Sequence, residues 1–114
     1  MHPDKRDLDE LASIQANINK ISRYRMKYGD DLSVFLNDED YQDLCFYALV
    51  QIGEAVNALS DRFRSSHPEI AWADIYGMRC YLVHGYDNVD ASIIWSAIVN
   101  DIPVLEALCT EQLP

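Results

Sequence analysis

The sequence predicts an all-α protein, an antiparallel up-and-down helical bundle that forms one domain over residues 1–114. Apolar residues recur at helical spacings of three and four along most of the chain. The segments between them are short, and short connections place consecutive helices side by side in opposite directions. The length suits one domain, and no repeat, low-complexity tract or linker divides it. We therefore expect four main helices plus a short one.

The first helix is predicted over residues 8–28, where one face carries a continuous apolar stripe. At about 100° per residue, Lys20, Arg23 and Lys27 lie on the face opposite that stripe. Gly29, which two aspartates follow, is expected to end the helix as a glycine cap.

The second helix is predicted to start near residues 37–40, whose acidic side chains suit the positive end of a helix dipole. One apolar stripe consists of Tyr41, Leu44, Cys45, Ala48, Ile52, Ala55, Val56, Leu59 and Phe63. A second face consists of Phe46, Leu49, Val50, Gly53 and Asn57. Gly53 in mid-helix indicates the close approach of another helix. A helix that is apolar on two faces is covered either within its own bundle or by another chain. We favour a second copy of this chain as the cover.

The remaining helices are separated by two breaks. The proline-containing segment 65–69 is expected to interrupt the helical pattern. A short third helix is predicted over residues 72–84, with Gly85 as its stop. Asp90 is the expected cap of the last helix, which Pro103 should kink or restart. The inner face of that helix consists of Ile94, Trp95, Ile98, Ile102, Leu105 and Cys109.

The formal net charge of −10 distinguishes this chain from general nucleic-acid binders, which are basic because phosphate contacts dominate their affinity. After Arg64, the only Lys or Arg in the sequence is Arg79. The one basic cluster consists of Lys20, Arg23, Arg25 and Lys27. A solvated helix face is the simplest interpretation of this cluster, and guidance of RNA or of an acidic partner is the alternative.

The cysteines Cys45, Cys80 and Cys109 are odd in number and widely spaced. This pattern favours reduced thiols in a cytoplasmic protein over a disulfide framework. No histidine has cysteine or histidine neighbours at metal-ligand spacing, so we expect neither a metal nor another cofactor. Because no apolar run reaches about 20 residues and the chain starts with polar residues, we expect no membrane span and no signal peptide.

The residues suited to chemistry lie in segment 77–86, where Arg79 precedes His84 by five positions. A guanidinium group can stabilise charge on a phosphate, and an imidazole can take or give a proton near neutral pH. Together they suffice in principle for metal-independent RNA cleavage. The imidazole would deprotonate the ribose 2′-hydroxyl, which attacks the adjacent phosphorus, while the guanidinium neutralises the developing charge. DNA lacks that hydroxyl and would not be cleaved.

The spacing of these two residues also permits a structural interpretation. On an ideal helix, positions five apart differ by about 140° in direction and about 7.5 Å in height. Arg79 and His84 then share no face unless the helix unwinds near Gly85 or a two-fold dimer brings two copies together. From spacing alone, the favoured interpretation is that Arg79 pairs with Glu54 or Asp74. His84 would then simply cap the helix.

A longer pattern surrounds this motif: IGEAVN at 52–57, HPEI at 67–70, Trp72, Ile75, GMR at 77–79 and LVHGY at 82–86. In order and spacing, over most of the chain, it resembles the HepT-like HEPN family of ribonuclease toxins. The resemblance implies a helical bundle that forms homodimers, with an Arg-x4-His-x-Tyr motif in a cleft at the dimer interface. It also implies metal-independent ribonuclease activity. The expected partner is a minimal nucleotidyltransferase antitoxin, which in characterised pairs transfers AMP to the motif tyrosine.

The resemblance assigns Arg79 and His84 as catalytic candidates and Tyr86 as the candidate site of adenylylation. Glu54 is a supporting candidate that would position an arginine.

The sequence departs from the family pattern directly after the arginine. The family usually has a polar residue there, commonly asparagine, and often a basic residue next, whereas this chain has Cys80 and Tyr81. A thiol is a poor substitute for an amide in hydrogen bonding, which makes Cys80 a supporting candidate whose effect on activity is in question. The alternative function is a non-catalytic module that docks the nucleotidyltransferase or binds a nucleotide. Cys80 and the negative net charge favour it.

Overall fold

A computed structural model describes residues 3–114, except that only the backbone of Tyr86 is described. These residues contain seven α-helices and one 3₁₀ turn and no strand, which confirms the predicted all-α class. The elements are α1 (Lys5–Tyr28), α2 (Leu32–Leu36), α3 (Glu39–Ala58), α4 (Asp61–Ser65), α5 (Trp72–His84), the 3₁₀ turn (Tyr86–Asn88), α6 (Ala91–Asn100) and α7 (Ile102–Gln112).

Helix α1 begins and ends as its sequence predicts. Asp4 caps its start by accepting a hydrogen bond from the backbone N–H of Asp7 at 2.8 Å. Gly29 ends it with a φ of 127°, a conformation that favours glycine, and its N–H donates to the carbonyl of Arg25. Its buried apolar stripe packs mainly on α3, and the two helices run in opposite directions, since Asp7 contacts Ser60 and Tyr28 stacks on Tyr41.

The predicted long second helix is wrong in its extent. Helix α3 ends at Ala58, and a separate helix, α4, contains the buried Phe63. The break has a tertiary cause: the buried carboxylate of Asp7 accepts hydrogen bonds from both the N–H and the hydroxyl of Ser60, each at 2.8 Å. Ser60 in turn caps α4. One predicted core residue, Leu44, is 37% exposed.

The centre of the second apolar face of α3 is covered by α5 of the same chain. Leu49 and Gly53 are buried there, and a Cβ atom added to Gly53 would overlap the Cβ atom of Arg79. The close helix approach that Gly53 predicts is therefore confirmed. Leu49 and Gly53 thus have an intramolecular cover, whereas Phe46 and Val50 are half-buried and Asn57 is exposed. A second copy of the chain over the rest of this face stays a prediction.

The C-terminal half follows the prediction closely. Helix α5 ends at His84 before Gly85, Asp90 caps α6, and Pro103 lies in the first turn of the restarted helix α7. The short helix α2 was not predicted. It inserts Phe35 into the core, with ring centroids 4.9 Å from Tyr41 and 5.1 Å from Trp95.

Residues Ala91–Gln112, which form α6 and α7, have the length and apolar composition of a membrane span, and the sequence-based expectation overlooked this segment. Core helices of globular proteins share this length and composition, and here the inner face, including Ile94, Ile98 and Leu105, is buried in the bundle. The two helices are also separated at Asp101. The apolar composition of this segment therefore matches its packing in the core.

Candidate active site

Arg79 is held at the contact between α3 and α5. Because Gly53 has no side chain, α5 approaches α3 closely enough for the Arg79 guanidinium to reach Glu54, whose carboxylate accepts a hydrogen bond from Nε. The side chain of Arg79 is 23% exposed and that of Glu54 is 50% exposed. The hydrogen bond to Glu54, followed by the contact of Nη1 with the Cys80 sulfur at 3.9 Å, raises the pKa of Arg79 above its ordinary value. The guanidinium is therefore a fixed positive charge.

An aromatic ring supports the other side of this guanidinium. The central carbon of the Arg79 guanidinium lies 5.8 Å from the ring centroid of Tyr76, one helical turn earlier in α5. Contacts with Glu54 and Tyr76 thus orient one cation on a regular helix. Of the two acids that the spacing suggested as partners, Glu54 is the one that binds Arg79. Asp74 lines a small crevice beside Ile75, Met78 and Asp101.

His84 is the last residue of α5 and its side chain is exposed. Among the described side chains, none forms a hydrogen bond or ion pair with its imidazole. The helix remains regular from Arg79 to His84, so their Cβ directions differ by about 140°. The unwinding that would bring both onto one face within a chain does not occur before Gly85, whose N–H closes the helix on the carbonyl of Tyr81 at 2.9 Å.

Hydrogen bonds to Tyr81 hold both ends of the turn that follows His84. At its far end, the hydroxyl of Tyr81 accepts a hydrogen bond from the backbone N–H of Asp90 at 2.7 Å. Asp90 caps α6 by accepting from the N–H and hydroxyl of Ser92, and these hydrogen bonds lower the pKa of Asp90. Sequence reasoning missed this role of Tyr81, because a hydroxyl nine residues before a cap residue follows no helical or turn pattern.

Tyr86 begins the 3₁₀ turn that follows this helix end. Its side chain, the candidate site of adenylylation, lies outside the described residues.

The cysteines fall into two environments. Cys45 and Cys109 are buried, and burial raises the pKa of their thiols to about 12 and about 11 respectively. Cys80 is half-buried beside Arg79. Within residues 3–114, no group of three or more His, Cys, Asp or Glu side chains is arranged to hold a metal ion.

Residues 14–111 match the family model described as "Ribonuclease HepT-like". The chain belongs to the HepT-like ribonuclease family. The matched range contains every candidate site residue: Glu54, Arg79, Cys80, His84 and Tyr86.

Individual relatives of this HepT-like chain carry ribonuclease names. "Probable ribonuclease HepT" of Thermococcus cleftensis is 39% identical over 72 residues, which cover 63% of this chain and 66% of that protein. "Putative RNase TTE0752" of Caldanaerobacter subterraneus subsp. tengcongensis is 45% identical over 62 residues, 54% of this chain and 55% of that protein. The matches thus span between about half and two thirds of these relatives. No solved structure matches the chain.

Proposed function

We propose that this HepT-like protein is a metal-independent endoribonuclease that acts as the toxin of a toxin–antitoxin pair. The observation that carries the proposal is that the guanidinium of Arg79 and the imidazole of His84 both lie on α5, within the range that matches the family model. Arg79 is fixed by Glu54 and Tyr76, and the imidazole of His84 is exposed five residues later on the same helix. The names of the relatives support the same reaction class.

The reaction uses a base and a charge stabiliser. His84 takes the proton of a ribose 2′-hydroxyl, and the 2′-oxygen attacks the adjacent phosphorus. The bond from phosphorus to the 5′-oxygen breaks, and that oxygen leaves as a hydroxyl after it takes a proton from water. Arg79 neutralises the charge on the non-bridging oxygens as it develops. The products are a 2′,3′-cyclic phosphate and a 5′-hydroxyl end, and DNA is not cleaved.

The active unit in this proposal is a homodimer. The regular geometry of α5 directs Arg79 and His84 away from one another within a chain. A two-fold axis beside the end of α5 would place Arg79 of one copy opposite His84 of the other. The dimer would thus form two equivalent sites, each with residues of both copies.

A small nucleotidyltransferase is the proposed antitoxin, and transfer of AMP to Tyr86 is the proposed means of inactivation. The hydroxyl of Tyr86 would attack the α-phosphorus of ATP, form a phosphodiester and release pyrophosphate. The modification would add bulk and negative charge two residues after His84, where RNA phosphates must approach.

The test is incubation of RNA with purified protein in EDTA. We expect wild-type protein to cleave RNA to 2′,3′-cyclic phosphate ends, and His84→Ala and Arg79→Ala to lose at least about a hundredfold in rate. Intact RNA with wild type, under conditions where a HepT-like relative cleaves it, would count against the proposal. A mass increase of one AMP or more after incubation with ATP and the nucleotidyltransferase, absent in Tyr86→Phe, tests the modification.

A second candidate function is a binding module without nuclease activity. Two observations favour it: Glu54 occupies the Nε of Arg79, and Cys80 stands where the family usually has an amide. A tight complex with the nucleotidyltransferase, together with RNA that stays intact and no growth arrest when the protein is expressed alone, would support this function over the first.

A further inference from the structure

A groove lies between α5 and the neighbouring parts of α3 and α4. It is open, with a volume of about 380 Å³, and it is lined by Asn57, Arg64, Ser65, Trp72, Ala73 and Tyr76. Tyr76 is shared between the groove and the candidate active site, because the guanidinium of Arg79 lies over its ring. The groove is therefore continuous with the position proposed for the scissile phosphate.

The aromatic groups of the groove are held in place by the fold. The indole N–H of Trp72 donates to the carbonyls of Arg64 and His67, each at 3.0 Å. The ring of Trp72 packs near Phe63, with centroids 6.4 Å apart, and Tyr76 is half-buried under Arg79. Rigid aromatic faces of this kind stack with unpaired bases at little entropic cost.

The polar groups of the groove are available for a ligand. Among the described residues, the side chains of Asn57, Ser65 and Tyr76 have no hydrogen-bond partner in the chain. An amide such as that of Asn57 offers two donors and an acceptor, which matches the edge of a base.

Two positively charged side chains lie at the groove, although the protein is acidic overall. Arg64 and Arg79 are the last two cations in the sequence, and one lines the groove while the other lies at its end. The guanidinium of Arg64 already has two partners, because it pairs with Asp61 and donates to the carbonyl of Val56 at 3.3 Å. Its positive charge nevertheless lies beside the groove. In a chain with a net charge of −10, the groove and its end thus carry two guanidinium groups, each of which has a carboxylate partner, Asp61 or Glu54.

We propose that this groove is a nucleotide subsite that binds an unpaired base and phosphate of the RNA strand next to the bond that is cleaved. Along α5, Tyr76 and Trp72 lie about 4.5 Å and about 10.5 Å from Arg79, within reach of the nucleotides adjoining a phosphate held by Arg79. Tyr76 stacks on the base, Asn57 binds its edge, and Arg64 attracts the following phosphate. The subsite rests on the proposed function, and it makes single-stranded RNA the preferred substrate.

The binding experiment uses full-length protein carrying His84→Ala, so that RNA stays intact, and a six-nucleotide single-stranded RNA with a fluorescent 5′ label in EDTA. Fluorescence anisotropy gives Kd. Adding Tyr76→Ala should raise Kd about tenfold, the loss of one stacked base. Adding Tyr76→Phe should leave Kd within about twofold, since the ring remains. The matched control is Tyr47→Ala, because Tyr47 is a tyrosine of α3, 63% exposed, that lies outside the groove.

Cleavage by protein with His84 intact separates binding from folding. Tyr76→Ala should raise KM for single-stranded RNA because the stacked base is lost, and any fall in kcat reports the separate loss of the contact with Arg79. Restoration of KM by Tyr76→Phe, with unfolding temperatures equal to wild type, would support the subsite.

Three results would overturn it. Cleavage by Tyr76→Ala with unchanged KM overturns the subsite and leaves the proposed function standing. Absence of RNA binding by the His84→Ala protein also overturns the subsite, while cleavage by wild type would still support the nuclease. Binding of free AMP that depends on Tyr76, without any such dependence for RNA, would assign the groove to a mononucleotide.

Discussion

Gly53 of α3 and Arg79 of α5 lie so close that a methyl group on the glycine would overlap the arginine side chain. The absence of a side chain at position 53 thus sets the separation of the two helices. The same contact brings the guanidinium of Arg79 to the carboxylate of Glu54, one residue further along α3. The position of Arg79, a candidate catalytic residue, therefore depends on the close packing that Gly53 allows.

Gly53→Ala should destabilise the protein, although alanine is the better helix former by about 1 kcal/mol. The added methyl group must push α5 from α3 and displace Arg79, and we expect a net loss of about 1–3 kcal/mol in the free energy of unfolding. The matched control is Gly77→Ala on α5, where the added methyl group meets nothing within 4 Å. That variant should gain up to about 1 kcal/mol. Equal effects of the two substitutions in urea denaturation would contradict this account of Gly53.

Asp7→Ala should remove the interaction that separates α3 from α4. The Asp7 carboxylate is 1% exposed and accepts both hydrogen bonds of Ser60, so its loss leaves these donors without their acceptor. We expect a loss of about 2–4 kcal/mol in the free energy of unfolding. Asp9→Ala is the control, because Asp9 is exposed and, among the described residues, pairs only with Lys5. It should change stability by less than about 0.5 kcal/mol.

Tyr81→Phe should loosen the turn that follows His84. The variant keeps the aromatic ring and removes the acceptor of the Asp90 N–H, at a cost of about 1 kcal/mol. Hydrogen exchange at the amide of Asp90 should accelerate about fivefold. Amides in the middle of α1 should be unchanged and serve as the internal reference. Unchanged exchange at Asp90 would show that the Tyr81 hydroxyl does not hold the turn.

Asp101→Asn should stabilise the protein at neutral pH. Burial, and then the charge of Asp74, raise the pKa of Asp101. A carboxyl group with a raised pKa binds its proton more tightly in the folded chain, so its favourable contribution to stability is present at low pH and is lost as the pH rises through the folded-state pKa.

The gain from Asp101→Asn should be about 0.5 kcal/mol at pH 7 and absent near about pH 3. No cap is lost, since the Asp101 side chain forms no capping hydrogen bond. Thermal unfolding at both pH values checks this, with the exposed Asp43→Asn on α3 as the control. A gain of equal size at both pH values would contradict the electrostatic explanation.

The features predicted correctly from the sequence are those with a local cause. Gly29, Gly85 and Asp90 mark helix ends through their own backbone or side chain, and each lies where the sequence placed it. The break after Ala58 could not be predicted, because it depends on Asp7, 53 residues before Ser60 in the chain. Apolar packing patterns likewise depend on residues that are distant in the sequence.

The second face of α3 was predicted correctly as a helix contact, but its apolar pattern did not identify the covering helix. Gly53 indicates a close neighbour, yet α5 of the same chain and a helix of a second copy satisfy that pattern equally. For the candidate site, the motif predicted Arg79 and His84, and pairing by charge left Glu54 and Asp74 open as partners of Arg79, between which the structure selects Glu54. The hydrogen bond of Tyr81 and the groove at Tyr76 depend on the tertiary arrangement of the chain, which the sequence pattern does not give.

The most direct test of the central claim mixes two inactive variants, Arg79→Ala and His84→Ala. If Arg79 of one copy and His84 of the other form each site, a mixed dimer has one intact site. After random exchange of subunits, about a quarter of the wild-type rate of RNA cleavage should return, because half of the dimers are mixed and each has one of two sites intact. Each variant alone should stay inactive. Absence of any recovery, with mixed dimers shown by mass spectrometry and wild-type protein active, would contradict a site shared between two copies.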